Sequence, residues 1–359
     1  MSSFSENVRV SAGKLRALLP ENCHKLKAPK GLLANGVGSR AAVSWEPVRG
    51  ADGYEIYEKN GGEDFFRIQT VALPRTVLEN RKPGTKYIYK VRAYRLASGK
   101  LRFGKWSREA ATEIALNGKT TLKNLLRTAL MPLGTTMYIW GGGWNEEDNG
   151  TGADGCRLGL SPAWRAFANL QTPFYQYGRY RYWHGLGLDC SGYLGWVLYN
   201  VMNTEHGSEE KGYVMKAGEF APYLAKKGWG TCVKPEQIQN YRAGDIMSTD
   251  GHVYLVIGEC SDKSVVLLHC SPPGVQLCGT CMPDRDPDSE AVKLVKRIMK
   301  TYQPFWYLRY PKCERDISYL TEYLQFRWVL DGNGVMTDPD RYRDAAPEFI
   351  LKELFREGR

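Results

Sequence analysis

Five histidines and nine cysteines are the residues of this 359-residue chain best suited to acid–base or nucleophilic work. Three of the histidines are poorly placed for it. His24 precedes the first strand-like run, His206 sits in a polar stretch, and His184 falls in a segment dominated by glycine and aromatics. His252 and His269 differ. His252 opens the apolar run HVYLVIGE, and His269 closes the next one, SVVLLHCS. The short turn CSDK between them predicts an antiparallel pair, in which the start of one strand meets the end of the other. The two imidazoles then become neighbours.

A thiol could complete the set. In GLDCSGYLGWVLYN, Tyr193, Leu194, Val197, Leu198 and Val201 recur at helical spacing, which predicts a helix over 189–202. Asp189 is a good N-cap, so Cys190 falls in the first turn. The helix dipole favours an anion there, and a thiol so placed is expected to have a depressed pKa. A nucleophile also needs a base within hydrogen-bond reach, and the base needs an orienting group. A helix carrying Cys190, packed on the sheet of His252 and His269, completes a Cys–His–His constellation. A cysteine on an apolar helical stripe is by itself more often a core residue. The coincidence of the three points to chemistry.

Several elements must position these residues. Residues 27–112 read as all-β: AAVSWEPV, GYEIYEKN, FFRIQTV, TVLEN and KYIYKVRAYRL are short runs separated by Gly, Pro and Asn turns. In KYIYKVRAY, Tyr87, Tyr89, Val91 and Ala93 share one face. Residues 113–130 are expected to be helical, with Leu122, Leu125, Leu126, Ala129 and Leu130 as the apolar stripe and Thr120 or Thr121 as cap. SPAWRAFANL predicts a short helix with Ser161 before it and Pro162 at its first position. TYQPFWYLRYP, 301–311, is expected to be a strand. The tail, 313–359, reads as two amphipathic segments. Residues 1–26 read as a polar arm with one helical turn around GKLRALL.

Composition sets limits. The formal charge is +10, which would attract anionic polymers. No run of five or six Lys/Arg occurs and no RNA-binding signature, so nucleic acid is not an expected partner. No apolar segment approaches the ~18 residues that predict a membrane span. The N-terminus lacks the apolar stretch of a signal peptide. CGTC, with Cys278 and Cys281, lacks the second CxxC that a zinc ribbon requires, and DGNGVMTDPD lacks the ligand spacing of a calcium loop. Neither a metal nor a cofactor is expected.

Two resemblances follow. Trp45 in VSWEPV, Tyr54 in ADGYEIYEK, Leu78, and Tyr87 in KPGTKYIYKVRAY make 27–112 similar to a fibronectin type III domain. That implies a sandwich with Trp45 in its core and Tyr87 at a tyrosine corner. It also implies a spacer or a module contacting carbohydrate or protein. MYIWGGG, GLDCSGYLGWVLYN, YRAGDIMSTDGHVYLVIG and VVLLHCSPPGVQL resemble the NlpC/p-sixty superfamily of cell-wall cysteine peptidases over roughly 120–312. The resemblance implies an α+β papain-like domain over 113–312, with Cys190 as nucleophile, His252 as base and acid, and His269 orienting His252. It also implies that the Tyr138 hydroxyl points toward Cys190, that Asp189 and Ser191 contact substrate, and that the substrate is peptidoglycan or its muropeptides. The bond implied is the amide from γ-D-glutamate to a diamino acid. The resemblance places the protein at the cell wall, whether exported, cytoplasmic or phage-borne.

Residues 143–188 separate two motifs that relatives hold close together. They are read either as a lid or wall over the substrate groove, with Trp144, Trp164, Tyr180 and Trp183 as candidate contacts, or as an insertion packing on the protein itself. Residues 313–359 are read as an extension beyond the domain. Two other functions stay open: a catalytically silent wall-binding or adhesion scaffold, and a papain-like amidase or acyltransferase with a non-wall substrate.

Overall fold

A computed structural model describes residues 26–62, 64–97, 99–115, 120–202, 211–330, 332 and 334–357. The helical turn expected in the N-terminal arm lies outside these residues, as do His24 and His206.

The first body is a sandwich. Strands β1 (Leu33–Val37), β2 (Arg40–Ser44) and β5 (Arg75–Leu78) form one sheet. Strands β3 (Gly53–Asn60), β4 (Phe66–Val71), β6 (Lys86–Ala97), β7 (Lys100–Trp106) and β8 (Ala110–Glu113) form the other, in which both β7 and β8 pair with β6. Alternation along β6 buries Tyr87, Tyr89, Val91 and Ala93, as a strand with one face on the core must. Trp45 is buried edge-on to Tyr54, with ring centroids 5.2 Å apart. The Tyr87 hydroxyl accepts the Lys82 N–H at 3.0 Å, which closes the corner before β6. Glu55 and Glu58 are buried but paired, Glu55 with Arg67 and Arg92, Glu58 with Arg81.

The second body is built on a nine-stranded sheet. Its path runs β10 (Gly187–Leu188), β9 (Met137–Tyr138), β15 (Gly274–Thr280), β14 (Val265–Ser271), β13 (His252–Glu259), β12 (Ile246–Thr249), β17 (Leu324–Trp328) and β11 (Gly230–Val233), and β16 (Glu314–Arg315) pairs with β15. In β14 every residue but the last is buried, and in β13 every residue but the first and last. Near-continuous apolar runs of this kind need cover on both faces. The helices among the described residues are α1 (Leu122–Leu130), α2 (Pro162–Leu170), α3 (Cys190–Met202), α4 (Phe220–Lys226), α5 (Glu290–Tyr302), α6 (Pro304–Arg309), α7 (Ser318–Thr321) and α8 (Pro347–Glu357). Helix α3 packs on β13 and β14, while α5 and α8 touch each other and strands β13 to β15. No helix among the described residues is long and apolar enough to cross a membrane.

Three expectations need correction. Residues 113–130 are not one helix: Ala110–Glu113 pairs with β6 down to Lys86↔Glu113, and the helix starts only at Leu122, capped by the Thr121 hydroxyl accepting from the Asn124 N–H. Residues 301–311 are helical, not a strand. Pro304 supplies the fixed φ of a first turn, and Trp306 alone in α6 is buried while Phe305 and Leu308 stay exposed. The tail is not an extension. Leu324–Trp328 lies between β12 and β11, pairing Ile246↔Phe326 and Cys232↔Phe326. Residues Ile350, Leu351 and Leu354 of α8 join the same core.

The two bodies are joined through the insertion at 143–188. The Ser44 hydroxyl donates to the Leu160 carbonyl at 3.2 Å, and the Leu160 N–H donates to Asn35 Oδ1 at 3.1 Å. Leu33 of β1 is buried in the hydrophobic cluster of the second body.

Candidate active site

The site is assembled at the N-terminus of α3. Asp189 caps it: Oδ1 accepts the Gly192 N–H at 2.6 Å and the Ser191 hydroxyl at 2.8 Å. Its other oxygen accepts the Gly141 N–H at 3.1 Å. One carboxylate thus ties the helix to the glycine loop after β9. That loop needs its glycines. Gly141 and Gly143 have φ of +83° and +97°, and a Cβ on Gly192 would come within 1.9 Å of the Gly142 carbonyl oxygen. Burial pushes the Asp189 carboxyl up to about 6 against the three bonds that favour its charge.

Asp189 and Ser191 were expected to meet substrate, and both are spent internally instead. Ser191 is 5% exposed, and its hydroxyl also accepts the Trp144 indole N–H at 3.0 Å. Trp144 is half-buried with its donor committed. Of the other lid residues, Trp164 is core, buried edge-on to Trp196 at 5.8 Å. Tyr180 stacks on Tyr175, whose hydroxyl donates to the Tyr138 carbonyl at 2.6 Å. Trp183 stays 53% exposed, its ring edge-on to Tyr180. Of these four, Trp144, Trp164 and Tyr180 therefore pack on the protein itself, and Trp183 is the one left exposed.

Cys190 is the first residue of α3 and is partly exposed. Burial, and then the neighbouring Asp189, push its thiol up to about 12. The backbone N–H groups of Ser191 and Val253 favour the thiolate but are outweighed. The expected depression of this pKa is thus reversed, because desolvation of the anion exceeds what the helix terminus returns. The contact with Val253 seats the sulfur against the residue that follows His252. Tyr138 is buried, and its phenol is raised by burial first and then by Cys190 and Asp189, so the hydroxyl lies within electrostatic reach of both.

The two strand-end histidines meet. His252 Nε2 lies 2.7 Å from His269 Nδ1, with the rings at 80°. Strands β13 and β14 pair Leu255↔Leu268. Continuing that register sets His252 diagonal to His269 on one face, within reach of a long side chain. Burial, and then the Arg315 charge, lower His252 to about 4. His269 is fully buried and is held well below the ordinary histidine range by burial, Arg315 and His252, in that order.

Three residues of this site were not found in the sequence, and all come from the tail. Arg315 of β16 lies with Nη2 2.9 Å and Nε 3.3 Å from His269 Nε2. Tyr319 and Tyr323 set their ring edges against His252 at 5.9 and 6.4 Å. Arg315 carried no signal, because a two-residue strand has no periodicity to read. Cys278 of CGTC turns its sulfur toward His269 Nε2 at 3.6 Å. Among the described residues, Cys260, Asp262 and Glu290 come within ligand distance of one another. Their carboxylates are already engaged, Asp262 by Ser264 and the Glu290 N–H, Glu290 by Ser261.

No protein-family model matches the chain, and no curated protein matches it. Solved structures similar to it include FN3tt, at 20% identity over 25% of this chain and 96% of that one, with a TM-score of 0.23. An Fn3-like protein from Clostridium thermocellum is 27% identical over 24% of this chain and 90% of its own, with a TM-score of 0.21. A beta-1,2-glucanase from Parabacteroides distasonis is 20% identical over 31% of this chain and 16% of its own, with a TM-score of 0.25. The chain is a β-rich, multidomain protein with a fibronectin type III-like region; the strand order of its two small sheets defines that region.

Proposed function

We propose that this chain is a cysteine hydrolase of the NlpC type, cutting amide bonds in the stem peptides of peptidoglycan, with its fibronectin-like sandwich as an accessory module. The observation that carries the reading is the 2.7 Å contact between His252 Nε2 and His269 Nδ1, behind a cysteine that opens a helix packed on the strand of His252. A nucleophile, a base and an orienting group in that order are what acyl transfer requires.

His252 spends Nε2 on His269, so Nδ1 is the nitrogen left for Cys190. With the thiol near 12 and His252 near 4, the resting pair is a neutral thiol and a neutral imidazole. Proton transfer to Nδ1 then accompanies attack of sulfur on the carbonyl carbon. The Cys190 backbone N–H donates to the oxyanion, a contact worth about 2.7–4 kcal/mol where it has been measured. His252 returns the proton to the leaving amine, and water hydrolyses the thioester. The γ-D-glutamyl to diamino acid bond is the first choice of substrate, and a net charge of +10 suits an anionic wall.

A second reading, a catalytically silent scaffold that grips wall fragments, draws on the raised thiol and the lowered imidazole. Defined muropeptides separate the two. Mass spectrometry should show stem-peptide cleavage by the wild type and none by Cys190→Ala. Cleavage that survives in the variant rules out this nucleophile, and an intact peptide with the wild type favours the scaffold.

A further inference from the structure

Arg315 makes an unusual contact for a cation. Its guanidinium donates to His269 Nε2, to Gln276 Oε1 at 3.1 Å and to the Glu314 carbonyl at 2.7 Å. No carboxylate among the described residues lies within ion-pair distance of it. Glu314 is paired with Lys296, and Asp316 accepts from the Ser318 hydroxyl and N–H. Arginine has five donors and no acceptor. Hydrogen-bond direction along the triad follows from that fact alone. His269 Nε2 must accept, so neutral His269 carries its proton on Nδ1. Nδ1–H then donates to His252 Nε2, and neutral His252 carries its own proton on Nδ1. On the hydrolase reading above, that nitrogen is the one left for Cys190, and in this arrangement it has no lone pair for the thiol proton.

A groove of about 480 Å³ opens beside this contact. Arg309, Lys312 and Arg315 line it, with Gln276 and Tyr319 leading to the histidines. The carboxylates in its wall are those of Glu314 and Asp316, already engaged. A carboxylate entering there would offer Arg315 a charged, bidentate partner, a stronger one than a neutral imidazole nitrogen.

We propose that Arg315 is a latch on the triad: docked on His269 it holds both histidines in the tautomer that cannot accept the Cys190 proton, and a carboxylate-bearing ligand in the adjoining groove draws it off. On release, His269 passes its Nδ1 proton to His252 Nε2. His252 gives its Nδ1 proton to water, and His269 takes one from water at Nε2. The proton count is unchanged, and His252 Nδ1 is now a base. Arg315 is a positioning residue here, acting through His269. The ligand class rests on the hydrolase reading above; the tautomers do not.

Long-range proton–nitrogen NMR on the ¹⁵N-histidine-labelled full chain reads the tautomers directly, in a Cys190→Ala background that prevents turnover. With Arg315 present, His269 and His252 should both be protonated at Nδ1. In Arg315→Met both should move to Nε2, and Arg315→Lys, which is also donor-only, should restore the first pattern wherever it reaches. An unchanged His184 signal reports that the variant is folded; should Arg315→Met not fold, Arg315→Gln makes the same comparison. The γ-D-glutamyl dipeptide of lysine should shift the first pattern toward the second, and its fully amidated form should not. In the Cys190-containing enzyme the preference in kcat/KM for the acid over the amide should fall about tenfold on Arg315→Met, the scale of one charge-assisted contact. His269 protonated at Nε2 with Arg315 in place overturns the latch, even if muropeptides are cleaved. Equal shifts by acid and amide, or none, overturn the release by carboxylate. The tautomers hold even if no peptide is ever cut.

Discussion

At the scale of the residue, Cys190 shows how position and environment compete. The start of a helix favours a thiolate, while a buried site beside a carboxylate disfavours it, and here the second wins. The consequence can be measured by alkylation. A thiol raised to about 12 is deprotonated only in proportion to hydroxide across the neutral range, so its rate with iodoacetamide should climb about tenfold per pH unit from pH 7 to 9. A preformed thiolate–imidazolium pair would instead give a rate nearly flat over that range. Asp189 and Ser191 show the opposite side of the same competition. Their position beside Cys190 led to the expectation of substrate contact, yet their hydrogen bonds turn inward to hold the loop and the helix together.

At the scale of the element, the glycine loop and the helix it touches form one unit. Gly192 has no room for a methyl group against the Gly142 carbonyl. Gly192→Ala should cost about 1–3 kcal/mol in denaturant unfolding, the usual penalty for overpacking. It should also displace Asp189 and abolish the proposed hydrolysis. Stability unchanged within error would show that the loop gives way freely. The legibility of the sequence also divides at this scale. Helix α3, the hairpin of β13 and β14 and the buried face of β6 could all be read, because each writes a period into neighbouring residues. The hydrophobic rhythm of Cys190–Met202 and the short turn between the histidine strands are local facts. What could not be read was set by distant partners. LQFRW became a strand because β12 and β11 leave a slot for it, and PFWYLR became a helix despite its aromatics, with Pro304 starting its first turn. Arg315 is the extreme case, a site residue recognisable only once β15 and β16 are side by side.

At the scale of the molecule, the sandwich is more than a tether. Leu33 fills a place in the larger core, and Asn35 and Ser44 bond to Leu160. Calorimetry of the full chain should therefore show one cooperative transition. Leu33→Ala with Asn35→Ala should lower the stability of the union by about 2–5 kcal/mol, the scale of a buried leucine truncated, and split the transition in two. A wild type that already melts in two steps would remove the coupling. Part of the sandwich face carrying β6 and β7 is occupied by its own cations, with Arg92 over Phe103 at 4.0 Å and Lys90 over Phe65 at 4.0 Å. A carbohydrate stacking there would have to displace them.

The place of β17 has a further meaning when chain order is set against time. Ribosomes deliver β11 and β12 well before Leu324–Trp328, so the two strands that flank it remain with open edges until synthesis has passed residue 328. Edges of that kind recruit other strands, and a growing chain must shield them. His252 and His269 also emerge before Arg315. If Arg315 is the latch proposed above, the triad is synthesised ahead of its restraint, and a chain interrupted before residue 315 would lack it.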